Sequence, residues 1–180
     1  MCDHLVVRAS RTVTDKIGDA FGGVMTQSDM AEALAEIHRI DPNFNKETFI
    51  RECQFEIIPT ILEAYLQGRQ DILKDWCHEG SYNVLSALIK QRTDKTNHQK
   101  VLEVRDADIL GAKLLDRGPL VILAFNAQQL TREIDEDIKN EVLENVFYVW
   151  ALCRDQSIYD PRIAWRVLEF GIQASGKLLI

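Results

Sequence analysis

The chain has 180 residues, of which 46% are hydrophobic and 27% charged, and its formal net charge is −7. This composition is typical of a single folded domain with an apolar core. An acidic chain without basic clusters argues against nucleic-acid binding. No apolar run approaches the roughly 20 residues that span a bilayer, so any membrane contact is expected to be peripheral. Scattered cysteines indicate reduced thiols in a cytosolic or matrix compartment rather than disulfides: Cys2, Cys53, Cys77 and Cys153.

Residues 1–27 are predicted to form an amphipathic helix followed by a hinge. The segment Leu5 to Met25 carries an apolar stripe opposite Arg8, Thr12, Asp15 and Asp19. Such a stripe favours a helix docked on its own domain, on a membrane surface or on a partner equally well. The pair Gly22-Gly23 is the predicted hinge. The stripe consists of Val6, Val13, Ile17, Ala20, Phe21 and Val24.

A second unit, residues 28–180, is predicted to begin with a helix capped by Ser28. Its buried face is expected to contain Met30, Leu34, Ile37 and Ile40. The helix should end at Asp41-Pro42, because the residue before a proline avoids the helical region.

The next helix, capped by Asn45, carries Phe49, Cys53, Ile57, Ile61 and Tyr65 on one stripe. Pro59 lies within this stripe. Its ring would crowd the carbonyl of Phe55, so the helix is expected to bend between Glu56 and Ile58. Gly68 is expected to close it in the left-handed conformation. Two shorter helices are predicted over Asp71 to Cys77 and Ser81 to Arg92, the second with Val84, Leu85, Leu88 and Ile89 turned inward.

From Val101 onward the hydrophobic period changes to two, which predicts strands. Residues 101–106 and 109–115 fit a strand pair or one bulged strand, and further strands are expected over 120–130, 145–153 and 164–172. A charged loop is predicted over Asp135 to Asn140. Short connections between consecutive strands predict an antiparallel meander.

The central strands are apolar on both alternating faces, so both faces of the sheet must be covered. The helices can cover one face. The N-terminal helix, a partner or a second copy must cover the other. The expected class is α+β, with helices packed on a curved antiparallel sheet. A kinked helix in the concavity of such a sheet would enclose an apolar cavity suited to a ligand. Its predicted lining is Ile58, Ile61, Leu62, Tyr65, Trp76, Phe125, Tyr148 and Trp150.

No catalytic or metal-binding constellation is recognisable. The pair Cys77-His78 cannot form a dyad by adjacency, because neighbouring helical residues point about 100° apart. The four histidines have no metal-ligand spacing.

Several long motifs make the chain similar to a known family. These are IHRIDPNFNKETFIRECQFEIIPTILEAYLQGRQDILKDW, RGPLVILAFNAQ, YVWALCRDQ and DPRIAWRVLEF. From about Thr12 onward, the chain resembles the C-terminal domain of the Tim44 family. The resemblance implies a cone-shaped fold like that of nuclear transport factor two, located peripherally on the matrix side of the mitochondrial inner membrane.

The resemblance also implies a non-enzymatic adaptor without a cofactor. Such an adaptor joins translocase channel subunits to the ATP-driven matrix heat-shock chaperone during preprotein import. Chaperone contact is expected mainly through an upstream region that these 180 residues do not include. Anionic lipid such as cardiolipin is the implied membrane ligand. The corresponding membrane-binding residues are Val6, Val13, Ile17, Phe21, Val24, Met30, Leu34 and Ile37.

An enzyme of the isomerase or dehydratase type is the alternative, because cone-shaped domains of this kind also host such activities in the cavity. That function needs a polar side chain with a perturbed pKa inside the cone. Tyr65, Tyr148 and Tyr159 are the plausible polar tips, and buried tyrosines usually only satisfy a hydrogen bond.

Overall fold

The computed structural model describes residues 25–92, 98–135 and 138–178 of the chain. The predicted N-terminal helix, its hinge at Gly22 and Gly23, and most of the proposed 1–27 unit lie outside the described residues. The division at residue 27 therefore stays a prediction.

Helix α1, Gln27–Ile40, begins at Thr26 rather than at the predicted Ser28. The Thr26 hydroxyl accepts from the Asp29 amide at 3.1 Å, and the Asp29 carboxylate accepts from the Thr26 amide at 2.7 Å. The hydrogen bonds that the Asp29 carboxylate accepts from the Thr26 amide and hydroxyl hold its pKa below the ordinary value. The reciprocal pair satisfies two amides at the helix start, which the side chain of Ser28 could not do alone.

The end of α1 and the start of α2, Lys46–Glu52, are confirmed as predicted. The cap residue that ends α1 is Asp41, next to Pro42, and the Asn45 side chain accepts from the Thr48 amide at 3.0 Å. The two helices form a hairpin joined by a short connection.

The region around Pro59 differs from a simple proline kink. Helix α2 passes through a π-helical turn, Cys53–Ile57, into α3, Ile58–Gln67. In this turn the Ile58 amide bonds to the Cys53 carbonyl, one residue further back than in an α-helix. A wider turn accommodates the proline, which has no amide hydrogen to donate. Gly68 ends α3 with φ of 71°, as predicted.

Helices α4, Gln70–Trp76, and α5, Glu79–Gln91, follow. The predicted inward face of α5 is partly wrong. Leu85 is buried and Ile89 packs against the core, whereas Val84 is 61% and Leu88 41% exposed. The Ser81 hydroxyl bonds to the Val167 carbonyl of the sheet and fixes a different stripe against the core.

Four strands form an antiparallel sheet in the order β1-β2-β3-β4. Strand β1 is a single bulged strand, one of the two predicted alternatives, and Asp106 lies at a bulge with φ of 55°. The strands are β1 His98–Leu115, β2 Gly118–Asp135, β3 Ile138–Arg154 and β4 Trp165–Leu178, with a short helix α6, Pro161–Ala164, before β4.

The predicted charged loop over Asp135 to Asn140 is wrong for Asp135 and residues 138–140, which lie in strands, whereas residues 136 and 137 lie outside the described residues. Strand β2 continues to Asp135, which pairs with Ile138 in an unbroken register that starts at Leu120 and Cys153. Hydrophobic alternation marks only the buried part of a strand, whereas backbone pairing continues beyond it.

Both faces of the sheet centre are buried, as predicted. Val121, Leu123 and Phe125 share a core with the helices. The opposite face forms a second cluster against which Met25 packs, and what covers the rest of this face stays a prediction. Helices on one face of a curved antiparallel meander confirm the α+β class. The second cluster contains Leu120, Ile122, Ala124, Val149, Ala151 and Cys153.

Candidate functional sites

The predicted membrane-binding residues of α1 lie against the sheet. Ile37 has no solvent exposure, and Met30 and Leu34 are half-buried against the same core. In this fold Ile37 is therefore unavailable to a lipid surface. Hydrophobic periodicity identifies an apolar stripe but not the surface on which it packs. The remaining predicted membrane-binding residues lie outside the described residues: Val6, Val13, Ile17, Phe21 and Val24.

The residues predicted to line an apolar cavity do converge, and they belong to the main core. Seven are buried and Trp76 is partly buried. Their rings contact one another, with centroids 4.8 Å apart for Phe125 and Trp150 and 5.2 Å apart for Phe125 and Tyr148. A ligand-binding role for this cluster stays a prediction. The buried members are Ile58, Ile61, Leu62, Tyr65, Phe125, Tyr148 and Trp150.

Tyr148 is the polar group at the centre of this cluster. Its hydroxyl donates to the buried side-chain oxygen of Gln129, and burial raises its pKa well above the ordinary range. A phenol held protonated in this way is a poor general base. Tyr65 instead lies under the guanidinium of Arg92, which is 4.2 Å from the ring centroid and donates to the Tyr65 carbonyl at 2.8 Å. Both tyrosines thus have structural partners, and Tyr159 is 93% exposed.

The three described cysteines, Cys53, Cys77 and Cys153, are free and buried, as predicted. Burial raises the pKa of Cys77 to about 11 and that of Cys153 to about 11, and it raises the pKa of Cys53 further. These thiols are protonated near neutral pH and are therefore poor nucleophiles. The Nε2 of His78 lies 3.4 Å from Nη1 of Arg117, and, besides burial, the side chains that influence the pKa of Cys77 are those of Ser81 and Arg166.

Sequence reasoning missed Arg154, the last residue of β3. Its side chain is 1% exposed, and Nη1 and Nη2 are buried with no hydrogen-bond partner among the residues that the structure describes. Arg154 pairs with Trp165 across the sheet and follows Leu152 by two positions. Because strand side chains alternate, Arg154 points to the same helix-covered face as these two core residues. The alternation within VWALCR is the sequence signal that could have identified it.

A cavity of about 360 Å³ lies beside Arg154, between the α1–α2 connection and the start of β4. Its aromatic wall is formed by Phe44, Phe49 and Trp165, with ring centroids 5.5 Å apart for the first two and 4.8 Å apart for the last two. Phe49 and Trp165 are themselves buried in the core, and Phe44 is the partly buried ring of this wall. The remaining lining residues are Asp41, Asn43, Asn45, Thr48, Glu52 and Pro161.

Comparison with known proteins gives a consistent result. The family model described as the Tim44-like domain matches residues 30–172. Mitochondrial import inner membrane translocase subunit TIM44 of Rattus norvegicus is 39% identical over 98% of this chain, and that of Homo sapiens is 38% identical over 98%. The protein of the same name from Saccharomyces cerevisiae is 29% identical over 93% of the chain.

The matched region runs from the first helix into the last strand, so the fold defines an α+β domain of the Tim44-like type. More particularly, the chain belongs to the Tim44 family. It spans about two fifths of the length of these relatives, 41% in each of the three. None of the helices in the described residues combines the length and apolar character required to cross a membrane.

Proposed function

We propose that this chain is a peripheral adaptor module of the mitochondrial presequence translocase, acting on the matrix side of the inner membrane. The observation that supports it is the match to import translocase subunits across both the helical layer and the sheet. In this role the module anchors an import-motor chaperone to the channel, with the chaperone contacted mainly by a region outside these residues.

Membrane attachment is proposed to reside in residues 1–24, since Ile37 of α1 is enclosed by the core. Insertion of Val6, Val13, Ile17, Phe21 and Val24 would then supply the binding energy, with Met30 and Leu34 at the edge of the contact. The acidic residues of this segment offset its basic ones. Binding by apolar insertion depends little on salt, unlike binding by charge.

Cosedimentation with cardiolipin-containing vesicles tests the attachment. The chain should pellet with vesicles, and a chain lacking Met1 to Gly23 should not. Phe21→Asp should abolish binding, whereas Thr12→Asp, which adds the same charge to the polar face, should retain it. Equal pelleting of the full and shortened chains would reject residues 1–23 as the anchor.

Contact with channel subunits is proposed to involve an exposed face of the domain. A photo-crosslinker at Val84 or Leu88 of α5 would report on such a contact without disturbing the core, because Val84 is 61% and Leu88 41% exposed. Tyr159, which is 93% exposed in the connection between β3 and α6, provides a matched control position. In isolated mitochondria, adducts with channel subunits from α5 support the proposal. Adducts only with soluble metabolic proteins contradict it.

The adaptor is proposed to be non-enzymatic. The phenol of Tyr148 and the described thiols are protonated near neutral pH and occupied in packing. No specific observation favours the isomerase or dehydratase alternative.

A further inference from the structure

Arg154 is an unusual residue for a protein core. Arginine keeps its charge at all physiological pH values, and a buried charge is strongly destabilising unless it is paired. Here both terminal nitrogens are buried without a partner among the described residues. In folded proteins an unsatisfied buried group of this kind requires an explanation, such as a bound water, an ion or a ligand.

The side chain of Arg154 borders a cavity, and no described carboxylate bonds directly to its terminal nitrogens. The next residue, Asp155, accepts hydrogen bonds from Ser157, which lower its pKa, and Arg154 lowers that pKa by a smaller amount. Asp41 and Glu52 line the same cavity, but neither bonds to the guanidinium. Both are only partly buried, and the Asp41 carboxylate accepts from the Asn43 amide at 3.1 Å. The guanidinium at the base of the cavity is therefore unpaired among the described residues, and a ligand entering the cavity has to displace the atoms around it to reach the buried nitrogens.

We propose that Arg154 binds the carboxylate of a small monocarboxylic acid, whose apolar part packs against Phe44, Phe49 and Trp165. The forked guanidinium matches a planar carboxylate with two parallel hydrogen bonds. The aromatic wall accommodates a hydrocarbon chain, and a cavity of about 360 Å³ has the size of a small-molecule site.

The two acidic residues restrict the ligand further. Asp41 and Glu52 repel a second negative charge, so a singly charged carboxylate is favoured over a doubly charged phosphate. This site is separate from the membrane and channel contacts proposed above, and its failure would leave those proposals intact.

Titration of the 180-residue chain with hexanoate, followed by NMR chemical shifts and calorimetry, tests the proposal. Hexanoate should bind saturably and shift the signals of Trp165, whereas hexanamide, which has the same shape without the charge, should not. Inorganic phosphate at equal ionic strength should bind at least about tenfold more weakly, given the expected penalty for a second charge.

Arg154→Met keeps much of the side-chain volume and should abolish hexanoate binding. Arg166→Met is the matched control. Arg166 does not line the cavity of about 360 Å³; it pairs with Cys153 across the sheet and donates to the Asp75 carbonyl at 3.1 Å. Its replacement should leave hexanoate binding unchanged. If Arg154→Met does not fold, Arg154→Lys keeps the charge, removes the fork and should weaken binding at least about tenfold.

Three results would overturn the assignment: no saturable binding by the unmodified chain, equal binding of hexanoate and hexanamide, or equal binding of hexanoate by the Arg154→Met chain. Phosphate binding as tight as that of hexanoate would also contradict the carboxylate.

Discussion

Ile37 decides whether the apolar stripe of α1 serves the core or the membrane. Its side chain has no solvent exposure and belongs to the cluster that joins the helices to the sheet. Ile37→Ala removes buried carbon and leaves a cavity, which should cost about 3 kcal/mol of unfolding free energy. Ile37→Val removes one methyl group and should cost about 1 kcal/mol.

These losses are measurable by urea or thermal unfolding followed by circular dichroism. In a domain of this size 1 kcal/mol corresponds to a melting-temperature change of about 2–4 °C, so alanine should lower it by roughly 10 °C. Ala35→Ser, on the exposed side of the same helix, should change the stability by less than about 0.5 kcal/mol.

Vesicle binding separates the two roles. If Ile37 serves the core, Ile37→Val should bind cardiolipin-containing vesicles like the unmodified chain under conditions in which both are folded. The reasoning is refuted if Ile37→Ala unfolds like the unmodified chain yet loses vesicle binding, because the side chain would then face lipid.

Three further predictions follow from individual contacts. Gly118→Ala should destabilise the domain by about 3 kcal/mol, because φ is 139° and an added Cβ would lie 2.3 Å from the carbonyl oxygen of the last residue of β3. Gly80→Ala, whose added Cβ would have nothing within 4 Å, should instead stabilise α5 by up to about 1 kcal/mol. Unfolding midpoints equal to that of the unmodified chain would contradict both predictions. Tyr148→Phe should cost about 1–2 kcal/mol by leaving a buried glutamine oxygen unpaired, whereas Tyr159→Phe on the surface should cost almost nothing; an unchanged urea midpoint for Tyr148→Phe would show that the hydrogen bond contributes no net stability. Burial raises the pKa of Cys77 from 9.0 to about 11, so the fraction of thiolate near neutral pH falls about a hundredfold. Iodoacetamide should therefore label Cys77 at least a hundredfold more slowly in the folded chain than in urea. Equal labelling rates would contradict the raised pKa.

Much of the fold could be predicted from the sequence because its signals are local. Asn45 caps a helix with its own side chain three residues ahead, and Gly68 adopts a left-handed conformation that other residues avoid. Because the turn before Gly118 is short, the two strands that it joins can pair only in the antiparallel direction. The hydrophobic alternation of the sequence is interrupted near Asp106, which is where β1 has a bulge.

The errors share a different physical cause. Ser28 and Thr26 are both good caps, and the reciprocal bond from Asp29 selects Thr26. Val84 and Leu88 are apolar like Leu85, yet they are exposed because only one stripe of α5 faces the sheet. Residue type alone does not reveal which residue caps α1 or which residues of α5 are buried, because contacts with neighbouring residues decide both.

The sequence by itself determined the class of fold, the order of its elements and the family, because periodicity, caps and long motifs are written in consecutive residues. Only the tertiary structure decided what the stripe of α1 packs on and that Arg154 is buried beside a cavity. That cavity is assembled from residues 41–52, 154 and 161–165. Segments so far apart in the chain meet only when the helices close on the sheet, and the burial of a charge depends on all of them together.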